Sequence, residues 1–215
     1  KKKKIILFVG KLNSAKGYDL FGNAIIRILN KHKDWKGVVI GDEPREKHIF
    51  KHKNLKILGF KSHKYVLNNF TKSSISVVCS RWNEPFGRTS LEASSRGCAV
   101  IISNRGGLTE TTEHAIILKK LTSEEVYSKI DFLIKNKKHR QTLQKKSYCG
   151  FKYSHEFITN LQDNIRYNSL GLRIFNVNKI TKNTKLKILH ITNFNERFDG
   201  RLHYNTGRRL NNGFI

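Results

Sequence analysis

Two glutamates stand eight positions apart around a glycine in Ser80-Arg81-Trp82-Asn83-Glu84-Pro85-Phe86-Gly87-Arg88-Thr89-Ser90-Leu91-Glu92. The pattern predicts Glu84 in a loop and Glu92 one turn into the next helix. Gly87 permits a turn that aims the free N–H groups of that helix at the loop, and such an end holds anions. A carboxylate beside it accepts hydrogen bonds from sugar hydroxyls while the amides hold phosphate. Glu92 also fits a capping box, Thr89-Ser-Leu-Glu92, and Glu84 also fits a solvated loop acid. A second segment, Gly10-Lys11-Leu12-Asn13-Ser14-Ala15-Lys16-Gly17, sets two lysines five apart between glycines. Glycine allows close backbone approach and lysine brings mobile charge to phosphate. The GxxxxGK[ST] order of a P-loop is missing, and an ordinary lysine-rich loop fits the spacing too. A third segment, Ser103-Asn104-Arg105-Gly106-Gly107-Leu108-Thr109-Glu110, places paired glycines before a helix start. It suits ligand contact or a plain tight turn.

Each segment comes after a short, continuously apolar run. Strands are predicted at 5–9, 37–40, 55–58, 75–79, 99–102 and 116–118, the first three closed by Gly10, Gly41 and Gly59. Tyr18, Phe21, Ile25, Ile28 and Leu29 recur at helical spacing, so 18–32 is an amphipathic helix. Tyr65, Val66, Leu67 and Phe70 predict a short helix, and 88–96 another, closed by Gly97. Thr122-Ser-Glu-Glu125 is a capping box opening a helix with Val126, Ile130, Leu133 and Ile134 on one face, and a further helix or two fills 138–168. Alternating strands and helices, with strands apolar on both faces, predict an α/β fold: a Rossmann-like, doubly wound parallel sheet over residues 1–165. Ligands of such sheets bind outside the carboxyl ends of the strands, where the three segments lie. Residues 166–186 read as a linker, and 187–215 as the truncated beginning of a second α/β unit.

The 215 residues carry 42 Lys+Arg against 16 Asp+Glu, a net charge of +26. Such a balance suits a polyanion or an anionic membrane surface. Its distribution argues otherwise: residues 73–118 hold four basic and four acidic side chains and no lysine. The basic residues, mostly Lys, accompany many Asn and Ile, as codon bias in an AT-rich genome produces. Cys79, Cys98 and Cys149 have no metal-ligand spacing; a reducing, cytoplasmic setting fits, with Cys79 and Cys98 in the core. No apolar run reaches the roughly 18–20 residues of a membrane span. The absence of methionine and the abrupt ends read as a fragment open on both sides.

Glu84-Pro-Phe-Gly-Arg-Thr-Ser-Leu-Glu92 resembles the Glu-x7-Glu motif of retaining GT-B glycosyltransferases, glycosyltransferase family 4 in particular. Phe8-Val-Gly-Lys-Leu with Lys16-Gly17, Val39-Ile-Gly-Asp42, Leu58-Gly59-Phe60, and Gly97-Cys-Ala-Val-Ile-Ile-Ser with Gly106-Gly107 and Glu110 resemble its other landmarks in the same order. The resemblance implies a C-terminal, nucleotide-sugar-binding domain. It implies that Lys11 and Lys16 grip the donor diphosphate at Gly10, and that Glu84 binds the donor sugar. Glu92 would bind the ribose, and Gly87, Arg88 and Thr89 would offer amides to phosphate. Leu58, Gly59 and Phe60 would border the base. Lys11 stands where the family usually has Arg, Arg88 where an apolar residue is usual, and Thr109 where proline is common.

The implied chemistry is sugar transfer from a nucleotide diphosphate donor with retention, in which the donor is a substrate and no cofactor or metal is called for. No Asp-x-Asp motif occurs in the chain. The implied partners are the nucleotide sugar, a saccharide or lipid-linked acceptor, and an anionic membrane as peripheral contact, with no specific nucleic acid. The acceptor half would precede Lys1, so the chain alone would be inactive in transfer. A role in cell-envelope polysaccharide synthesis at the inner membrane face is implied as well. A basic nucleic-acid module and a non-transferase GT-B enzyme such as a sugar-nucleotide epimerase are the alternatives.

Overall fold

A computed structural model describes residues 2–170; the rest of the expected linker and the unit expected at 187–215 fall outside the described residues. In chain order come β1 (Lys3–Val9), α1 (Tyr18–Lys31), β2 (Lys36–Ile40), β3 (Leu55–Ile57), α2 (His63–Lys72), β4 (Ser73–Val78) and α3 (Arg88–Ser95). Next come β5 (Ala99–Ser103), α4 (Leu108–Thr111), β6 (Ile116–Leu118), α5 (Ser123–Lys135), α6 (Lys137–Cys149) and α7 (His155–Leu170). The six strands form one sheet in the order β3-β2-β1-β4-β5-β6, and every pairing is parallel. The chain leaves β3 at one edge and re-enters beside β1. The loops after β1 and β4 therefore flank the point where strand order reverses, the crevice in which doubly wound sheets bind ligands.

Strand alternation sorts the apolar side chains onto two faces. Ile6, Phe8, Val39, Val77 and Ile101 join Phe21, Ile25 and Ile28 of α1 and Val126, Ile130 and Leu133 of α5 in one core. Leu7, Val38, Ile40, Val78, Val100 and Ile102 join Val66 and Phe70 of α2 and Ala93 of α3 in the other. Burial on both faces is why the strands carry unbroken Ile/Val runs rather than polar alternation. Cys79 and Cys98 lie within these cores, and Cys149 is exposed.

Three expectations shift. β4 begins at Ser73, two residues early, because its serines are satisfied by main chain: Ser73 Oγ donates to Asn69 O (2.7 Å) and Ser74 Oγ to Lys3 O (2.6 Å). The box at α5 is half formed. Thr122 Oγ1 accepts from the Glu125 N–H at 3.2 Å, but the Glu125 carboxylate turns to the N–H groups of Lys119 and Lys120. Helix α7 runs to Leu170, into the first residues of the span expected as linker. The chain divides into two compact units, Lys1–Phe157 and Ile158–Ile215. The sheet and α1–α6 belong to the first.

Candidate donor-binding site

The loop after β1 is pinned from both sides. Asn13 caps a single 3₁₀ turn, Ser14–Lys16, by accepting from the Lys16 N–H at 3.0 Å. Gly17 closes it with φ of 72°. A Cβ there would stand 2.0 Å from the carbonyl oxygen of Cys79, so glycine is required for the two loops to touch. The N–H groups of Arg81 and Trp82 donate to Ala15 O at 2.8 and 3.2 Å. The Arg81 guanidinium grips both oxygens of Asp19 at 2.7 Å and reaches Ser14 O. The loops after β1 and β4 thus form one rigid wall.

Across that wall Lys16 meets Glu84. Nζ lies 2.5 Å from Oε1, with the side chains 32% and 15% exposed. Glu84 is held by its backbone as well, forming an isolated parallel bridge with Gly106 and accepting from the Gly107 N–H at 2.7 Å. Gly106 has φ of 54°, and a Cβ on it would lie 2.3 Å from Glu84 O. The paired glycines after β5 therefore act by letting a third loop press against the glutamate.

Helix α3 opens beside this pair. Its N-cap is Gly87, with φ of 80°, no side chain caps the end, and the first turn holds no acid. The alternative reading of Thr89–Glu92 as a capping box does not hold: Thr89 already lies inside the helix, and Glu92 pairs with His63 at 3.0 Å and Arg88 at 3.6 Å. Ser90 Oγ donates to Gly87 O at 2.7 Å and lies 3.3 Å from Thr111 Oγ1, bracing α3 on α4. An uncapped end leaves its amides facing the crevice.

Gly10, Lys16, Glu84, Gly87, Arg88 and Thr89 line one cleft of about 50 Å³, with Phe8, Val9, Val78, Ser80 and Leu108. The remaining site candidates lie outside that lining. Gly59 borders an open hollow of about 380 Å³, walled by Leu12, Gly41, Asp42 and Ile57 among others. Leu58 packs on the second core, Phe60 is 77% exposed, and Lys11 is exposed. Burial pushes the Cys79 thiol up to about 12, so it is no nucleophile despite its place behind the wall. Sequence reading missed the Asp19–Arg81 fork and the Glu84–Gly106 bridge. Their partners are 62 and 22 positions apart, and neither type nor spacing marks them as neighbours.

The all-parallel, doubly wound sheet with its switch-point crevice has the architecture of the C-terminal domain of GT-B glycosyltransferases. Residues 1–149 match the family model described as glycosyl transferases group 1, and the chain belongs to that family. It is 31% identical over 165 residues to spore coat protein SA of Bacillus subtilis (strain 168), covering 67% of this chain and 43% of that protein. The chain spans less than half the length of the curated relatives it matches. Among solved structures it is similar to the C-terminal domain of a glycosyl transferase group 1 family protein (LpcC) of Francisella tularensis. There the TM-score is 0.60 at 26% identity, covering 74% of this chain and 86% of that one. It also shares its fold with Alr3699/HepE of Anabaena, crystallised with UDP-glucose: TM-score 0.65, 17% identity, 78% and 49% coverage.

Proposed function

We propose that the crevice holds the donor of a retaining glycosyl transfer, a nucleoside diphosphate sugar, and that no metal is needed to neutralise its leaving group. One observation carries the reading: Lys16, Glu84 and the uncapped end of α3 converge on a single cleft at the strand-order reversal. Negative charge grows on the diphosphate as the sugar departs. Preorganised donors at that place lower the barrier, and Lys16 with the amides of Arg88 and Thr89 are such donors. Glu84 accepts from sugar hydroxyls, and Glu92, one turn on, from the ribose. The hollow at Gly59 takes the base, with Leu58 and Phe60 at its border, and Lys11 joins the diphosphate from the rim. The acceptor is a saccharide or lipid-linked saccharide, met at a cytoplasmic membrane face. Residues 1–165 act as the donor domain.

Isothermal titration of the chain with UDP and with GDP tests the donor site. Micromolar to millimolar binding of one is expected, weakened about tenfold or more by Lys16→Ala. A folded chain that binds neither nucleotide removes the reading.

A further inference from the structure

The cleft is short of free positive charge. Lys16 is engaged by Glu84 at 2.5 Å, Arg81 is locked on Asp19, and Lys11 is not among the lining residues. Arg88 is the exception among the described residues. It lines the cleft, its side chain is 76% exposed, and its one ion pair is a 3.6 Å contact with Glu92, which His63 holds more closely at 3.0 Å. Its place at the helix start is also unfavourable for a cation on its own. Arg88 is the first residue of α3, where the helix dipole is positive, and the first turn offers no acid to offset it. A cation at that end becomes favourable once an anion sits between the guanidinium and the amides.

We propose that the Arg88 guanidinium is a direct ligand of the donor diphosphate, leaving Glu92 as the ribose enters. The swap is balanced: the ribose hydroxyls replace Arg88 on the Glu92 carboxylate, and phosphate oxygens replace Glu92 on the guanidinium. A planar fork suits bidentate phosphate contact and supplies from α3 what a lysine at position 11 does not supply from the β1 loop. The inference rests on the donor-site reading, and the experiment separates the two.

Affinities of UDP and GDP, and of uridine and guanosine by chemical-shift titration, are measured for the full chain, for Arg88→Gln and for Arg88→Lys. The expected result is a loss of about tenfold for the nucleoside diphosphate in Arg88→Gln, partial recovery in Arg88→Lys, and for the nucleoside no loss but an equal or slightly higher affinity, as Glu92 is freed for the ribose. The high exposure of Arg88 leaves folding intact, checked by circular dichroism. If the parent chain binds and Arg88→Gln binds the diphosphate equally well, the inference falls while the donor site stands. If the parent chain binds no diphosphate, both fall.

A separate observation supports a second site in the same unit. Ser94 Oγ on α3, Thr112 Oγ1 at the end of α4 and Ser147 Oγ on α6 are buried and have no hydrogen-bond partner among the described residues. The three residues are 5–6% exposed, and all line one cavity of about 20 Å³, room for a single water. Hydroxyls both donate and accept, and a buried water makes about three such bonds. We infer that one water occupies this cavity and ties α4 and α6 to the back of α3. A crystal structure resolving waters should place one at about 2.7–3.0 Å from at least two of the three oxygens. An empty cavity, or density heavier than water, overturns the assignment.

Discussion

Lys16 and Glu84 illustrate how one contact serves an empty site and opposes a filled one. At 2.5 Å the pair neutralises two half-buried charges; on the proposed donor reading a diphosphate would have to share or take the lysine. Glu84→Gln removes the competitor and keeps the shape. The expected outcome is nucleoside diphosphate binding tightened about two- to fivefold, with the added affinity contributed by the sugar lost; titration with UDP against UDP-glucose, or the GDP pair, reads both. A second carboxylate, Asp131, is not among the residues lining the cleft and bears on stability. It receives His32 at 2.7 Å, Lys135 at 2.8 Å and Lys31 at 3.2 Å. Burial alone would raise its pKa, but these three groups outweigh that and hold the carboxyl at about 2 against an ordinary 3.8. A lowered folded-state pKa gives stability that is full above the ordinary value and is lost as pH falls through about 2. Asp131→Asn is expected to lower unfolding free energy by about 2 kcal/mol at pH 7 in urea titrations. The difference should shrink below pH 4 and close near pH 2.

At the scale of elements, the apolar runs already implied the parallel sheet, because a strand covered on both faces needs no polar alternation. The positions of Glu84 and Glu92 relative to α3 were also readable from Gly87 and the length of one turn. What the sequence hid was contact between distant loops. Nothing in Thr89-Ser-Leu-Glu92 distinguishes a capping box from a first turn, and only the left-handed Gly87 settles it by capping the helix two residues before Thr89 would have done so. Likewise Gly106-Gly107 reads as a tight turn, whereas its glycine is needed by Glu84, 22 positions away. Gly106→Ala puts a Cβ 2.3 Å from the Glu84 carbonyl at φ of 54°, so the two loops must part. Stability should fall by about 1–3 kcal/mol. Nucleoside diphosphate affinity should fall with it, while Gly59→Ala, also at positive φ (64°) but with a Cβ that meets open space, should cost stability without parting the loops at Glu84. Parallel thermal melts and titrations of the two variants distinguish a displaced Glu84 from general loosening.

Over the whole molecule, charge and core are distributed differently. The net charge of +26 leaves residues 73–118 neutral, and those residues supply β4, α3 and β5 at the heart of the site. Basicity is therefore a property of the covering surfaces rather than of the crevice. Among the described residues, the side chains of both cores come from residues 5–143. Helix α7 begins after them, and its Leu161, Ile165 and Tyr167 are 44%, 55% and 48% exposed. A side chain half in water contributes little of the roughly 1.5–3 kcal/mol that full burial gives. The first unit should then fold without the residues after Phe157. A chain ending there is expected to unfold cooperatively, with a melting temperature within a few degrees of the parent, and to bind the same nucleoside diphosphate equally well. Low-salt binding to anionic vesicles should weaken in that truncated chain and vanish at high salt in both, because it depends on surface lysines rather than on the site. A truncated chain that is unfolded, or folded but unable to bind, would mean that residues beyond 157 complete the donor domain.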